Sequence, residues 1–164
     1  MRLVLQRVSR GVVRVSGETV GEIGRGILVL AGAERGDGAA QVAQAVEKLA
    51  HLRIFEDAQG KMNVDPAAAG AAFLVVSQFT LAGSLERGRR PSFDGAAPPD
   101  VARPLVEQLV CGLRARGFRV ETGSFGAMME VELVNDGPVT FVLDVAASAQ
   151  PALTAPRGSR SAPA

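Results

Sequence analysis

The sequence predicts an α+β domain with a mostly antiparallel or mixed β-sheet of about seven strands and two main helices. Segments with the apolar patterns of strands follow one another in runs, and two segments with helical spacing separate the runs. The chain has 164 residues, which is typical of one domain, and 47% of them are hydrophobic, enough for a sizeable core.

The first run contains four predicted strands separated by glycine-containing turns. Three are short: one around Leu3 and Leu5, one over residues 12–15 and one over residues 19–23. The fourth, residues 27–31, is apolar throughout, which is typical of a central strand buried on both faces.

Two helices are predicted from apolar stripes. Asp37 is placed to cap the first, whose apolar face comprises Val42, Ala45, Val46, Leu49 and Leu52. The second ends near residues 116–117, and its stripe comprises Val106, Leu109, Val110 and Leu113. Pro104 predicts either a start near Asp100, with the proline in the first turn, or a kink.

Further strands are predicted over residues 73–76 and from Phe118 onward. Two more flank residues 135–138, because apolar and polar residues alternate on both sides of that segment. The sequence therefore predicts two strands joined by a turn at Asn135-Asp136-Gly137-Pro138. Ala, Ser, Pro and Arg dominate residues 146–164, which predicts a disordered tail after a domain of residues 1–145.

The composition excludes several classes of protein. The net charge is +1, from 18 basic and 17 acidic residues, so the total does not indicate a basic nucleic-acid binder. The apolar runs are too short to span a bilayer, and the N-terminus lacks the pattern of a signal peptide. With a single cysteine there is no internal disulfide. We expect a cytoplasmic protein with neither membrane nor DNA as a partner.

The usual catalytic side chains are also missing. His51 is the only histidine, which argues against a Ser-His-Asp site, and Cys111 is expected to be a core residue of its helix. A zinc site needs three or four ligands, so we predict neither metal nor cofactor. Glu130 and Glu132 are interpreted as the solvent face of a strand rather than as a glycosidase pair.

Two polar stretches remain unexplained. Residues 77–80, "SQFT", follow a buried strand at a position where backbone N–H groups become free, and "NDGP" follows later. By themselves the residues leave two interpretations open: a polar strand exit and a simple turn, or two parts of a functional site.

The two stretches together resemble the signature motifs of the D-aminoacyl-tRNA deacylase family. The resemblance extends in order over about residues 1–145, and the tail has no counterpart. It rests on "SQFTLAG" (77–83) and "NDGPVTF" (135–141), supported by "LQRV" (5–8), "GKMNVD" (60–65), "RGRRPSF" (87–93) and "TGSFGAMMEVELVNDGPVTF" (122–141).

The resemblance implies a homodimer with an active site at the subunit interface. The reaction would be hydrolysis of the ester that joins a D-amino acid to the terminal adenosine of tRNA, with glycine mischarged on tRNA for alanine as a further substrate. The catalytic segment would comprise Ser77, Gln78, Phe79 and Thr80. The substrate would be bound by Gly137, Pro138, Arg7, Phe125 and Met129, and the tRNA phosphates by Arg87, Arg89 and Arg90.

The resemblance also explains the missing side chains. An aminoacyl ester is already activated, and its neighbouring ribose hydroxyl can position or activate water. Backbone N–H groups of Phe79 and Thr80 would then stabilise the oxyanion. Attack by the Thr80 side chain is the alternative, but the sequence shows no base to activate it.

The Gly137–Pro138 bond is expected to be cis, again by resemblance, and to enter the partner's pocket. Its carbonyls would form a wall that an L side chain strikes and a D side chain avoids, with Arg7 holding the segment. Two other functions stay open: a non-catalytic tRNA-binding or dimerisation module, and a small-molecule esterase using Ser77 or Thr80. The intact motifs argue against the first, and the absent histidine partner argues against the second.

Overall fold

The computed structural model describes residues 1–86 and 88–146, which form two helices and a mixed sheet. This confirms the α+β prediction. The elements are β1 (Arg2–Val15), β2 (Glu18–Ile23), β3 (Gly26–Gly32), α1 (Ala39–Ala50), β4 (Phe55–Glu56), β5 (Met62–Val64), β6 (Ala72–Ser77), a 3-10 helix (Phe79–Ala82), α2 (Pro99–Ala115), β7 (Val120–Thr122) and β8 (Glu130–Asp144).

The main sheet has six strands in the order β2-β1-β3-β6-β7, with β8 on the other edge of β1. β1 pairs antiparallel with β3 through its first half, with β2 through its second half, and with β8 along almost its whole length. The pairs β3–β6 and β6–β7 are parallel. Each parallel pair is connected through a helix, α1 or α2, because parallel strands need a long crossover.

The central strands β3 and β6 are buried on both faces. Alternate residues of β3 and β6 divide between two core clusters: Ile27 and Phe73 face the helices, whereas Leu28 and Leu74 face the opposite side. All four residues from Val106 to Leu113 in the predicted α2 stripe are buried, as are the first four of the α1 stripe, and Leu52 packs against them.

The sheet nearly closes into a barrel where β2 approaches β7. A Cβ atom on Gly21 would lie 2.4 Å from the Thr122 carbonyl oxygen, so this approach requires glycine in β2.

Two local predictions were wrong, and a third was right only in part. The N-cap of α1 is Gly38, since the Asp37 carboxylate accepts the Glu34 N–H (2.7 Å) instead. α2 begins at Pro99, a favoured position for proline, which confirms the predicted start near Asp100; Pro104, however, lies in the second turn rather than the first. Cys111 is exposed rather than part of the core, because it lies beside the buried stripe of α2.

The strand predictions failed at two places, because in each of them two predicted strands form one continuous strand. Two predicted strands in residues 2–15 form the single strand β1, and two in residues 130–144 form the single strand β8. The flanks of residues 135–138 do not fold back on each other; both pair with β1. The described residues thus contain eight strands, including the very short β4 and β5, which have too few residues to show a pattern.

Residues 136–139 form a large bulge in β8. Thr140 pairs with Gln6 and Asn135 pairs with Val8, so residues 136–139 of β8 lie opposite Arg7 alone. Bulges interrupt pairing and redirect the backbone, often beside active sites. This one makes the Asp136–Gly137–Pro138 backbone exposed while the strand continues on both sides.

Candidate active site

Ser77 is the last residue of β6, and the chain turns there into the 3-10 helix. The Gln78 N–H still donates to the Ala31 carbonyl (2.8 Å), which ties the turn to the end of β3. A Cβ atom on Gly32 would lie 2.9 Å from the Gln78 carbonyl oxygen and 3.0 Å from the Leu81 Cβ atom. The turn can therefore pack on β3 only because residue 32 is glycine.

The predicted catalytic segment presents backbone donors. Within the described part of the chain, neither the Phe79 nor the Thr80 N–H donates to any acceptor, whereas the Leu81 N–H donates to Gln78 (3.2 Å). The first N–H groups of a helix have no partner inside it, which accounts for both. Both residues are exposed, so these donors can reach a bound molecule.

Thr80 has no base beside its hydroxyl among the described residues. The one hydrogen bond of its Oγ1 atom comes from the amide Nε2 of Gln78. An amide does not accept a proton as histidine does, so this arrangement orients the hydroxyl without activating it.

Ser77 and Phe125 are brought together in a groove of about 270 Å³ between α2 and the ends of β6 and β7. The Arg103 guanidinium carbon lies 4.6 Å from the centre of the Phe125 ring, in a cation–π contact. Met129 lies beside this groove but does not line it. Its Sδ atom accepts the Ser124 N–H (3.3 Å), and its side chain packs against the second core cluster.

The arginine loop comprises residues 85–91, and its described residues lie next to the 3-10 helix. Ser84 and Ser92 close its base through two backbone hydrogen bonds of 2.8 and 3.0 Å. Phe93 follows and contacts Phe79 edge to face, with the ring centres 5.0 Å apart. Arg89 and Arg90 are exposed, while the predicted site residue Arg87 lies outside the described residues.

The Gly137–Pro138 peptide bond is cis, as expected. Arg7, only 4% exposed, lies behind the bulge. Its Nε atom donates to the Asp136 carbonyl (3.0 Å), Nη1 to the Ile54 carbonyl (2.7 Å), and Nη2 to Glu56 Oε1 (3.3 Å). Arg7 therefore joins the bulge to β4.

The two signature segments are far apart within one chain. β8 and β6 are three strands apart in the sheet, or about 14 Å at ~4.8 Å per strand. Strand pairing places Ser77 level with Leu3 and the bulge level with Arg7, about 13 Å further along at ~3.3 Å per residue. Ser77 and the bulge are thus on the order of 20 Å apart by sheet geometry.

The other polar candidates lie at the surface. Glu130 and Glu132 are exposed, which confirms the solvent-face interpretation. A hydrogen bond from Arg14 (2.7 Å), helped by Arg10, lowers the pKa of Glu132. His51 is exposed and lies 3.2 Å from Glu47.

Sequence reasoning assigned no role to three contributors: Arg103 against Phe125, Glu56 beside Arg7, and Asn135 at the base of the bulge. Each of them contacts another residue that comes close only when the chain is folded, so the sequence gives no signal for the contact. In residues 1–86 and 88–146, no three His, Cys, Asp or Glu side chains are grouped as metal ligands, and no helix is long and apolar enough to cross a membrane.

Comparison with known proteins gives one consistent family. The model of the family described as D-Tyr-tRNA(Tyr) deacylase matches residues 4–144. A D-aminoacyl-tRNA deacylase of Anaeromyxobacter dehalogenans (strain 2CP-C) is 60% identical over 145 residues, covering 88% of this chain and 97% of the relative. One of Heliobacterium modesticaldum (strain ATCC 51547 / Ice1) is 57% identical over 144 residues, covering 88% and 96%.

Solved structures agree on the fold. That of a protein named "c-Myc DNA Unwinding Element Binding Protein" has a TM-score of 0.84 and 38% identity, and the match covers 90% of this chain and all of that one. A probable eukaryotic D-amino acid tRNA deacylase has a TM-score of 0.75 at 23% identity, over 88% and 98% of the two chains.

The curated relatives are hydrolases, so the fold and the match together define an enzyme of the ester-hydrolase class. More particularly, the chain belongs to the D-Tyr-tRNA(Tyr) deacylase family, whose curated members are named D-aminoacyl-tRNA deacylases.

Proposed function

We propose that this chain hydrolyses the ester of D-aminoacyl-tRNA and so removes D-amino acids from tRNA. Water attacks the ester carbonyl, the bond to the ribose oxygen breaks, and that oxygen takes a proton. The products are free tRNA and the D-amino acid. Glycine mischarged on tRNA for alanine is a second substrate, because it carries no side chain. The family match over residues 4–144 is the observation that carries this proposal.

The oxyanion is stabilised by the Phe79 and Thr80 N–H groups. Support comes from their exposure and from their lack of acceptors among the described residues. Donors fixed by the backbone need no rearrangement when charge develops on the substrate. The Thr80 hydroxyl has an amide partner rather than a base. Water assisted by the ribose hydroxyl therefore fits better than a threonine nucleophile.

Chiral selection is made by the Gly137–Pro138 backbone, with Phe125 lining the groove that receives the substrate and Met129 beside it. Gly137 has no side chain to fill the space, and Arg7 fixes the preceding carbonyl from a buried position. A backbone wall rejects an L side chain by collision and leaves a D side chain room.

The enzyme acts as a homodimer in which each bulge completes the partner's site. Three observations support this. The bulge and Ser77 are on the order of 20 Å apart in one chain. Among the described strands, β8 pairs only with β1, which leaves its second edge unpaired. β8 also exposes large apolar side chains, including Val134 (55%), Phe141 (41%) and Val142 (63%).

The arginine loop contacts the tRNA backbone. Arg89 and Arg90 are exposed beside the 3-10 helix, and Arg87, outside the described residues, is proposed to act with them. A chain of net charge +1 has little overall attraction for RNA, so this local cluster supplies it.

A deacylation assay with one tRNA charged with the D- or L-form of the same amino acid tests the proposal. We expect hydrolysis of the D-form and of glycine on tRNA for alanine, with the L-form left intact. Equal rates for D- and L-forms contradict chiral selection, and absence of turnover with tRNA binding retained supports the non-catalytic alternative.

DNA binding is a second candidate, favoured only by the name of the 38% identical protein, which describes binding to a DNA unwinding element. Single-stranded DNA added to the same assay separates the two. If single-stranded DNA inhibits deacylation at concentrations similar to that of the tRNA substrate, a DNA-binding role is favoured. If it does not inhibit, tRNA alone is favoured as the ligand.

A further inference from the structure

Two side chains that are not among the predicted site residues close the base of the bulge in β8. Asn135 and Thr140 are the last residues paired with β1 before and after residues 136–139. Asn135 Nδ2 donates to Thr140 Oγ1 (2.9 Å), so the two side chains meet across the base of the bulge.

Asn135 makes a second contact inside the bulge. Its Oδ1 atom accepts the backbone N–H of Val139 (2.8 Å), a group that the bulge removes from the sheet ladder. One amide therefore uses its acceptor on the returning backbone and its donor on the neighbouring side chain. Gln6 of β1 adds a weaker hydrogen bond to the same Thr140 hydroxyl (3.3 Å).

These contacts and Arg7 restrain different parts of the segment. Arg7 binds the carbonyl of Asp136, before Gly137, whereas Asn135 binds the N–H of Val139, after Pro138. The Gly137–Pro138 pair is thus fixed on both sides while remaining exposed. Neither contact can be replaced by strand pairing, because Arg7 is the only β1 residue opposite the bulge.

We propose that Asn135, supported by Thr140, is a positioning residue that sets the discrimination between D- and L-substrates. This inference rests on the proposed function, in which the Gly137–Pro138 backbone excludes L side chains. A wall that rejects by collision works only if it does not yield, so loosening one of its two anchors admits the L-form. Displacing a reacting group by 1 Å can cost about 10²-fold in rate, and a displacement of the wall affects the D-form less than the L-form.

The test compares Asn135→Ala, Thr140→Val and Thr140→Ser with the wild-type enzyme, measuring kcat/KM for D- and L-aminoacyl-tRNA. Asn135→Ala removes both contacts and should lower the D/L ratio by about tenfold or more. Thr140→Val removes the contact across the base and the weaker one from Gln6 but keeps the Asn135 contact to the Val139 N–H, so it should have a smaller effect. Thr140→Ser keeps the hydroxyl and should keep the ratio.

Asn63→Ala is the matched control, because the exposed Asn63 amide also donates one side-chain hydrogen bond, to Asp57 (2.7 Å), but does not contact the bulge or Arg7. Its D/L ratio should equal that of the wild type. Hydrogen exchange of the Val139 N–H gives a readout besides activity: it should accelerate in Asn135→Ala while neighbouring β8 amides keep their rates.

Two outcomes overturn the inference. One is a folded Asn135→Ala enzyme with an unchanged D/L ratio. The other is a drop in melting temperature with the ratio preserved, which marks a purely structural role. Failure of the proposed function looks different, since wild-type enzyme would then show no D-specific deacylation.

Discussion

The backbone donors at Phe79 and Thr80 allow a sharp test, because proline can remove one N–H with little other damage. Phe79 is the first residue of the 3-10 helix, a position that tolerates proline. Its N–H makes no internal hydrogen bond among the described residues. Gln78, at φ −145° and ψ 82°, lies outside the helical region that a following proline disfavours.

Phe79→Pro also removes the ring, so Phe79→Ala is the control. The ring is 58% exposed and contacts Phe93 by its edge, and both variants lose that contact equally. The ratio of their rates therefore isolates the N–H. Loss of one oxyanion donor costs about 10²–10³ in kcat, or roughly 2.7–4 kcal/mol. We expect Phe79→Ala to be active and Phe79→Pro to be slower than it by about 10²-fold or more.

Single-turnover deacylation with saturating enzyme is the suitable assay, since it reports chemistry without product release. Thr80→Ala completes the set, because it keeps both N–H groups and loses only the hydroxyl. Equal rates for the proline and alanine variants at position 79 refute backbone stabilisation by that N–H. If Thr80→Ala binds substrate but is as slow as Phe79→Pro, the threonine side chain is the catalyst.

Four further outcomes follow from the structure. Arg89→Ala or Arg90→Ala should each reduce the salt slope of tRNA binding by about 1, measured by titration at several salt concentrations, and unchanged slopes remove the arginine loop from the tRNA site. Val142→Lys, at a 63% exposed position on β8, should yield monomers by light scattering at micromolar concentration, whereas Val101→Lys on α2 should not. Gly137→Ala should lower the D/L ratio in deacylation, because at φ +137° a Cβ atom would lie 2.6 Å from Val139 Cγ2 and the bulge must shift; a lower Tm with an unchanged ratio argues against a functional role. The Tm difference between wild type and Glu132→Gln should be fully present at pH 7 and should decline as the pH falls below about 4.3, the ordinary value for Glu, since Arg14 lowers the pKa of Glu132 in the folded state; a difference independent of pH contradicts the ion pair.

The sequence predicted the parts of the fold that depend on local pattern. The apolar stripes predicted for α1 and α2 from helical spacing pack into the core. Alternate side chains of β3 and β6 point into two different core clusters, as strand alternation predicts. It failed where a partner strand decides the outcome. The "NDGP" turn chemistry indicates a hairpin locally, but pairing of both flanks with β1 makes it a bulge.

The candidate site was predictable only as two separate segments. Their motifs identify the residues by resemblance. Three contacts could not be predicted in this way, because they join positions that share no sequence pattern: Arg103 with Phe125, Glu56 with Arg7, and Asn135 with Thr140. Backbone donors are harder still to predict, because N–H groups occur at every residue except proline. Their role depends on which ones are left without an acceptor, and here that follows from the start of the 3-10 helix at Phe79, which the sequence pattern does not mark.

β1 links the two halves of the proposed mechanism. Leu3 is level with Ser77 through β3, and Arg7 of the same strand holds the bulge. A strand buried between β3 and β8 does not stretch, so the separation of on the order of 20 Å within one chain is fixed. In the proposed homodimer the bulge of one chain meets Ser77 of the other copy, and we expect contact between the exposed β8 surfaces to set the geometry of that meeting. Substitutions on β8 that weaken this contact should therefore impair deacylation and chiral discrimination together, although they lie away from Ser77 and Gly137.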